Sequence, residues 1–340
     1  MYEAFYHLRA KPFSLNPDPT FFFGSKGHKR AMSYLEYGLH QGEGFIVITG
    51  EVGAGKTTLV RNLFRKLDTG DLIAAQLVST QLDADDTLRM VAASFGVPHE
   101  EATKAVLLKR VEAFLISCRE QGKRALLVVD EAQNLTPRAV EELRMLSNYQ
   151  SGDRSLLQTF LLGQPEFRIT MQSPDMTQLR QRVIASYHLG PLDAEDTRGY
   201  IQHRLQTVGW DNDPSFNDEA FAEIFAFTGG IPRKINTLCD RLMLMGYIEE
   251  KHAFGITEVK EVIGDIQREM SYPEHLAQPP SHGSRGLLAE DTFAMEMETK
   301  LASMDERISD LERSVTTVLK LLREILSLAS VRRLRNEDHQ

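Results

Sequence analysis

The chain has 340 residues, 42% apolar and 26% charged, enough for about two ordinary globular domains with appendages. A net charge of −9 and a pI near 5.6 supply no global positive field, which speaks against nucleic acid or an anionic lipid surface as the principal partner. The only cysteines, Cys118 and Cys239, fall in helix-like stretches and are expected as small core residues in a reducing compartment.

Residues 1–44 are rich in aromatics: Phe5, Tyr6, Phe13, then Pro17-Asp18-Pro19-Thr20-Phe21-Phe22-Phe23-Gly24, where two prolines punctuate a turn. These aromatics read as anchors packing on the neighbouring fold. Ala31 to Leu39 has a helical pattern ending at Gly42. Short β-like runs at 45–49, 73–79, 125–130 and 156–163 alternate with helical patterns at 58–67, 85–95, 103–121 and 137–148. That alternation predicts a three-layer α/β domain over 45–192, with a parallel sheet covered on both faces. From Asp193 no strong strand follows. Helices at 195–207, 217–227, 232–249 and 257–269, the last capped by Thr257, predict a small helical domain over 193–270.

Pro273, Pro279, Pro280, Gly283 and Gly286 mark residues 271–292 as a flexible linker. A heptad seam then runs from Ala294 and Met297 through Leu301, Ile308 and Val315 to Ile325 and Ala329, about five heptads. It predicts a coiled coil over 293–335 that docks a partner protein. Leu319, Leu321, Leu326 and Leu328 widen the apolar face, as a higher-order bundle or second partner would require. The competing reading is a membrane-surface helix, since Arg332, Arg333 and Arg335 follow; a basic end also suits the helix dipole. No window approaches the roughly 18 apolar residues of a membrane span, and the N-terminus lacks a signal pattern. The expected location is the cytoplasm, with peripheral contact at the inner membrane.

Within the first strand–helix unit, Gly50-Glu51-Val52-Gly53-Ala54-Gly55-Lys56-Thr57 matches the phosphate-binding pattern G-x-x-x-x-G-K-[ST]. With Thr58, these residues are expected to bind ATP. Glycines let the backbone close around phosphate oxygens, and the helix N-terminus adds partial positive charge. Lys56 would reach the β- and γ-phosphates, and the Thr57 hydroxyl would hold Mg²⁺. Downstream, Ala125-Leu126-Leu127-Val128-Val129 ends in Asp130-Glu131. If this strand lies beside the one feeding the loop, Asp130 holds Mg²⁺ through water and Glu131 polarises the attacking water. His28 and Lys29 are candidates for lining the base pocket, against a plain solvated helix.

These two motifs, Ala132-Gln133-Asn134-Leu135 and the helical segment after the core resemble an AAA+ ATPase. Met1-Tyr2-Glu3-Ala4-Phe5-Tyr6, Asn16-Pro17-Asp18-Pro19, Gly163-Gln164-Pro165-Glu166 and Gly229-Gly230-Ile231-Pro232-Arg233-Lys234-Ile235-Asn236 resemble the general-secretion-pathway A-type ATPases. More narrowly, the chain is similar to the secretion ATPases of exosortase/PEP-CTERM exopolysaccharide loci. The resemblance covers about residues 1–270. The secretion-pathway type carries a membrane span and a periplasmic peptidoglycan-binding region, whereas this chain offers a linker and a coiled coil.

The resemblance implies that Gln164 is the sensor 1 residue, touching the γ-phosphate or attacking water, and that Arg233 is sensor 2. It places the finger that completes a neighbour's site in Leu179-Arg180-Gln181-Arg182-Val183, with Arg182 favoured over Arg180. A finger in trans implies a homo-oligomer, a ring or partial ring. The implied function is a Mg-dependent ATP-hydrolysing motor or switch serving export or assembly of surface polysaccharide and proteins. The alternative is a DNA-binding ATPase resembling transposition target-selection regulators, against which the acidic composition counts. A non-hydrolysing scaffold is disfavoured by the intact Glu131.

Overall fold

The strand Phe45 to Gly50 is buried along its whole length. Successive side chains face opposite ways, so Phe45 and Val47 join one apolar cluster while Ile46 and Ile48 join another. A strand of this kind requires cover on both faces. The computed structural model describes residues 1–66, 70–78, 83–152 and 154–270, and supplies that cover. The expected linker and coiled coil lie outside the described residues, as do residue 79 of the second predicted strand and residue 67 of the helix predicted over 58–67.

Five strands, β1 (Phe45–Gly50), β2 (Leu72–Val78), β3 (Arg124–Asp130), β4 (Leu157–Gly163) and β5 (Val183–Leu189), form a wholly parallel sheet in the order β2-β3-β4-β1-β5. Leu77, Val129, Leu161 and Val47 sit side by side across four strands, one apolar row of the core. The acidic strand β3 is therefore not beside β1, as expected; β4 lies between them. Burial explains the order. All seven residues of β4 are buried, whereas β2 and β5 alternate between covered and exposed positions, as sheet edges do.

The chain opens with one turn, α1 (Tyr2–Phe5), followed by α2 (Lys26–Gln41). Helix α2 starts ahead of the predicted Ala31 because the Ser25 side chain accepts the His28 N–H, and it ends at left-handed Gly42 (φ 72°). With α3 (Lys56–Lys66) it covers the face carrying Ile46 and Ile48. The other face packs on α4 (Ala84–Ser94), α5 (Lys104–Glu120) and α6 (Pro137–Leu146), with Cys118 buried among them. Asp83 and Thr136 cap α4 and α6, and Pro137 occupies the first helical position, where its missing N–H costs nothing. Short α7 (Pro165–Thr170) and α8 (Thr177–Arg180) were not expected; neither is long enough to show a helical period.

Beyond β5, α9 (Ala194–Thr207), α10 (Asp218–Thr228), α11 (Pro232–Ile248) and α12 (Ile256–Met270) enclose a separate apolar cluster that holds Cys239. Asp193 and Asn217 cap α9 and α10, and Gly229 ends α10 with φ 59°. Thr257 is not the cap of α12. The helix begins at Ile256, and the Glu258 carboxylate accepts the Gly255 N–H at 2.9 Å. A two-residue parallel pair, Ser215–Phe216 with Ala253–Phe254, also escaped the periodicity.

The N-terminal aromatics pack here rather than on the sheet. Tyr2, Tyr6, Leu8 and Phe13 are buried in the helical cluster, with the Tyr2 hydroxyl donating to Asp240 at 2.5 Å and that of Tyr6 to the Lys251 carbonyl at 2.8 Å. Among the three consecutive phenylalanines, Phe22 turns to the sheet cluster while Phe21 and Phe23 turn to the helical one. The segment before α2 thus clasps both cores.

Candidate nucleotide site

The loop between β1 and α3 is shaped by glycines at left-handed positions, Gly53 at φ 82° and Gly55 at φ 96°. A side chain at Gly53 would place its Cβ 2.3 Å from Cβ of Arg233, and one at Gly50 would lie 2.5 Å from the Leu189 carbonyl oxygen. Lys56, 7% exposed, folds back across the loop and donates to the carbonyls of Gly50 (2.7 Å) and Glu51 (3.0 Å). Burial pushes its ammonium down from the ordinary lysine value, opposed by the carboxylates of Glu131, Asp130, Glu51 and Glu166.

The Thr57 hydroxyl donates to Asp130 Oδ2 at 2.8 Å. The two hard oxygen groups expected to hold a divalent ion therefore meet although β4 separates their strands, because the strands end at one edge. Next to Asp130, Glu131 is left-handed (φ 55°, ψ 42°), a conformation that costs a non-glycine residue about 1–2 kcal/mol. Its Oε2 accepts from Gln133 Nε2 (2.5 Å) and from Gln164 Nε2 (3.1 Å), while Gln133 Oε1 accepts the Gln164 N–H (2.9 Å). Burial alone would raise the Glu131 carboxyl, but the two amide donors and the Lys56 charge together hold it below its ordinary value.

Val52, Gly53, Gly55, Lys56, Thr57, Thr58 and Glu131 form one wall of a cavity of about 410 Å³. The opposite wall comes from the N-terminal segment and the helical region: Asn16 to Asp18, Phe21 to Phe23, Tyr200, Arg204, Arg233 and Asn236. Gly50, Glu51 and Ala54 do not line it: the Gly50 and Glu51 carbonyls accept from Lys56, and the Ala54 carbonyl oxygen lies 3.1 Å from His28 Nε2. Arg233 opens α11 against the loop, its N–H donating to the Gly53 carbonyl at 3.2 Å. Of the two base-pocket candidates, His28 lines the cavity and is buried, while Lys29 is exposed and takes no part in the wall.

Arg180 and Arg182 are not at this site. The Arg182 carbonyl accepts the Phe45 N–H at the start of β1, so five strand steps, about 16 Å, separate it from Gly50. Arg182 Nη1 makes two long contacts, 3.3 Å each, to the Ser147 carbonyl and hydroxyl. Arg180 is tied more tightly, to the carbonyls of Met171 (2.6 Å) and Ser173 (2.8 Å) and the Thr177 hydroxyl (2.9 Å). A larger cleft, about 700 Å³, lies at this same far edge and holds none of the expected site residues.

Gln133 and Asn236 entered the sequence analysis only as motif residues without a role, and Tyr200 and Arg204 were not singled out. Arg204 is 6% exposed and donates to the Pro12 carbonyl (2.5 Å), the Tyr200 hydroxyl (2.8 Å) and the Ser14 carbonyl (3.1 Å); the Tyr200 hydroxyl donates onward to Asn236 (2.9 Å). A signal was present, since Thr197, Tyr200, Ile201, Arg204 and Leu205 share the i, i+3, i+4 stripe that faces inward. A charge on such a stripe needs a buried partner.

Residues 39–171 match the AAA domain family. The sequence is 38% identical over 267 residues to General secretion pathway protein A of Aeromonas hydrophila, covering 78% of this chain and 47% of that protein, so the match spans about half the relative's length. The fold is similar to the ORC2 protein of Aeropyrum pernix solved in ADPNP–ADP complexes, with TM-score 0.60 and 14% identity over 77% of this chain and 74% of that one. It is also similar to Cdc6p of Pyrobaculum aerophilum, with TM-score 0.56 and 14% identity over 78% and 74%. At such identities the likeness is one of fold. With its phosphate loop on a five-stranded parallel sheet, the chain has the α/β P-loop AAA fold, and its sequence is similar to General secretion pathway protein A.

Proposed function

We propose that this protein hydrolyses ATP with Mg²⁺ between the phosphate loop and the helical region, as a homo-oligomeric motor or switch. The observation that carries the reading is the convergence of Lys56, the Thr57–Asp130 pair and an ionised Glu131 on one edge of the sheet. The donor set fits a nucleoside triphosphate. Left-handed glycines leave room for the backbone to approach phosphate, a helix N-terminus follows, and Lys56 has only carbonyl partners to give up.

In this reading Lys56 turns from the Gly50 and Glu51 carbonyls to the β- and γ-phosphates. Thr57 and Asp130 would hold Mg²⁺, and its positive charge would offset the charge developing on the phosphoryl oxygens. Glu131 orients the attacking water, and Gln164, which donates to that carboxylate, reports the γ-phosphate. Residues 193–270 act as a lid read through Arg233, and Arg182 of a neighbouring copy completes the site. Its two long contacts to Ser147 make it easier to release than Arg180.

Similarity to General secretion pathway protein A supports a role in secretion. The motor serves export or assembly of surface polysaccharide and proteins, in the manner of exosortase/PEP-CTERM loci. The coiled coil expected from the sequence over 293–335, outside the described residues, would dock a partner in an envelope complex, at the cytoplasmic side of the inner membrane. Among the described residues no helix is long and apolar enough to cross a membrane. Turnover by the purified full chain, measured as phosphate release with Mg²⁺, tests the chemistry. Glu131→Gln should abolish release while a fluorescent ATP analogue still binds; unchanged release would refute the assignment.

A further inference from the structure

We infer that His28 is a positioning residue: it locks the Ala54–Gly55 peptide so that the Gly55 N–H faces the bound phosphates. The inference rests on the nucleotide site proposed above and concerns a side chain from outside the phosphate-loop motif.

His28 is 6% exposed and bridges two backbones. The Ser25 hydroxyl oxygen accepts the His28 N–H at 3.2 Å and lies 2.7 Å from His28 Nδ1; His28 Nε2 lies 3.1 Å from the Ala54 carbonyl oxygen. One proton arrangement satisfies all three contacts with a neutral ring. The Ser25 O–H donates to Nδ1, which leaves the ring proton on Nε2 to donate to Ala54. Burial, the largest influence on the ring, favours its neutral form. Phe22 packs nearly perpendicular to the imidazole, its ring centre 5.9 Å from that of His28.

The 54–55 peptide is trans, so its N–H points opposite to its C=O. Holding the carbonyl toward α2 therefore turns the Gly55 N–H toward the side away from His28. A free loop could rotate this peptide, because glycine at φ 96° has few steric preferences. His28 removes that freedom before the ligand arrives. The position also explains why residue 55 must lack a side chain, since a Cβ there would lie 2.9 Å from His28 Nε2. The loop is thus oriented by a helix that precedes it, and the cap of that helix sets the tautomer.

The test titrates a fluorescent ATP analogue into the full chain, without metal, for wild type, His28→Leu and His28→Gln. Leucine removes the donor, whereas glutamine keeps an N–H that can reach Ala54. The expected result is about tenfold weaker binding for His28→Leu and recovery to near wild type for His28→Gln. Equal affinities for all three, or equal losses for both variants, would overturn the role of His28 while leaving the site itself standing. No binding by wild type would overturn the nucleotide reading and this inference with it. Nitrogen-15 spectra of the imidazoles, assigned by the signal lost in His28→Gln, give a second readout. An Nε2-protonated neutral ring supports the lock, and an Nδ1-protonated ring overturns it.

Discussion

Replacing Arg204 by methionine tests how the N-terminal segment is fastened to the helical region. Arg204 makes no ion pair with a carboxylate among the described residues. Its charge is met by the Pro12 and Ser14 carbonyls, the Tyr200 hydroxyl, and the faces of Phe21 (4.7 Å) and Tyr200 (5.5 Å). A hydrogen bond to a charged group contributes about 1.5–3 kcal/mol, and a desolvated cation–π contact about 2. Against these stands the desolvation of a buried guanidinium, several kcal/mol, which methionine removes while keeping much of the apolar contact. Carbonyls left without a donor restore a penalty of about 1–3 kcal/mol each, reduced where the cavity admits water. The balance predicts a loss of about 3 kcal/mol. Urea unfolding of the full chain, extrapolated linearly, measures it. Hydrogen exchange at residues 12–23 should quicken more than exchange in the sheet. A loss below about 1 kcal/mol with unchanged exchange at those residues would refute this account of Arg204.

Gly53→Ala should separate the loop from α11. The new Cβ lies 2.3 Å from Arg233 Cβ, an atom fixed to the helix backbone, and φ 82° adds left-handed strain of about 1–2 kcal/mol. Nucleotide affinity should fall at least tenfold, and normal affinity would contradict the packing of α11 on the loop. Gln164→Leu removes a donor that favours the ionised Glu131, so the carboxyl should move up toward its ordinary value near 4.3. The acid limb of the turnover profile should then shift to higher pH; a stationary limb would show that Glu131 does not govern it. Because that folded-state value is depressed, its stability contribution exists above the unfolded value and is lost as pH falls through the folded one, so acid unfolding of Gln164→Leu should depend less on this group. Thr57→Val should leave metal-free nucleotide binding nearly intact and remove the gain that Mg²⁺ confers, measured with and without chelator. A full Mg²⁺ gain would exclude Thr57 from the ion's shell.

The α/β core was readable because its signals are local. Strand β1 is apolar on both faces, and Gly42 ends α2 at a left-handed position, whereas the Ser25 cap went unread and that helix was expected only from Ala31. The phosphate loop was readable for the same reason: eight consecutive residues contain the turn, the charge and the hydroxyl. Short elements such as α7 and α8 were not, since fewer than two turns give no period. Arg204 was legible only as an oddity on an apolar stripe; its partners lie almost the whole chain away, at Pro12 and Ser14.

By itself the sequence determined four of the five sheet strands and the long helices, and that Lys56, Thr57, Asp130 and Glu131 are the residues with chemistry to offer. Period, capping and turn formation act over a few neighbours, so composition in a short window is sufficient. The tertiary structure alone decided that β4 lies between the two motif strands, that Gln164 reaches Glu131, and that His28 grips Ala54. It also placed Arg182 at the far end of β1 from the phosphate loop. These are choices among distant partners. They are set by which surfaces bury best against each other, a property of the assembled core that no short stretch of chain contains.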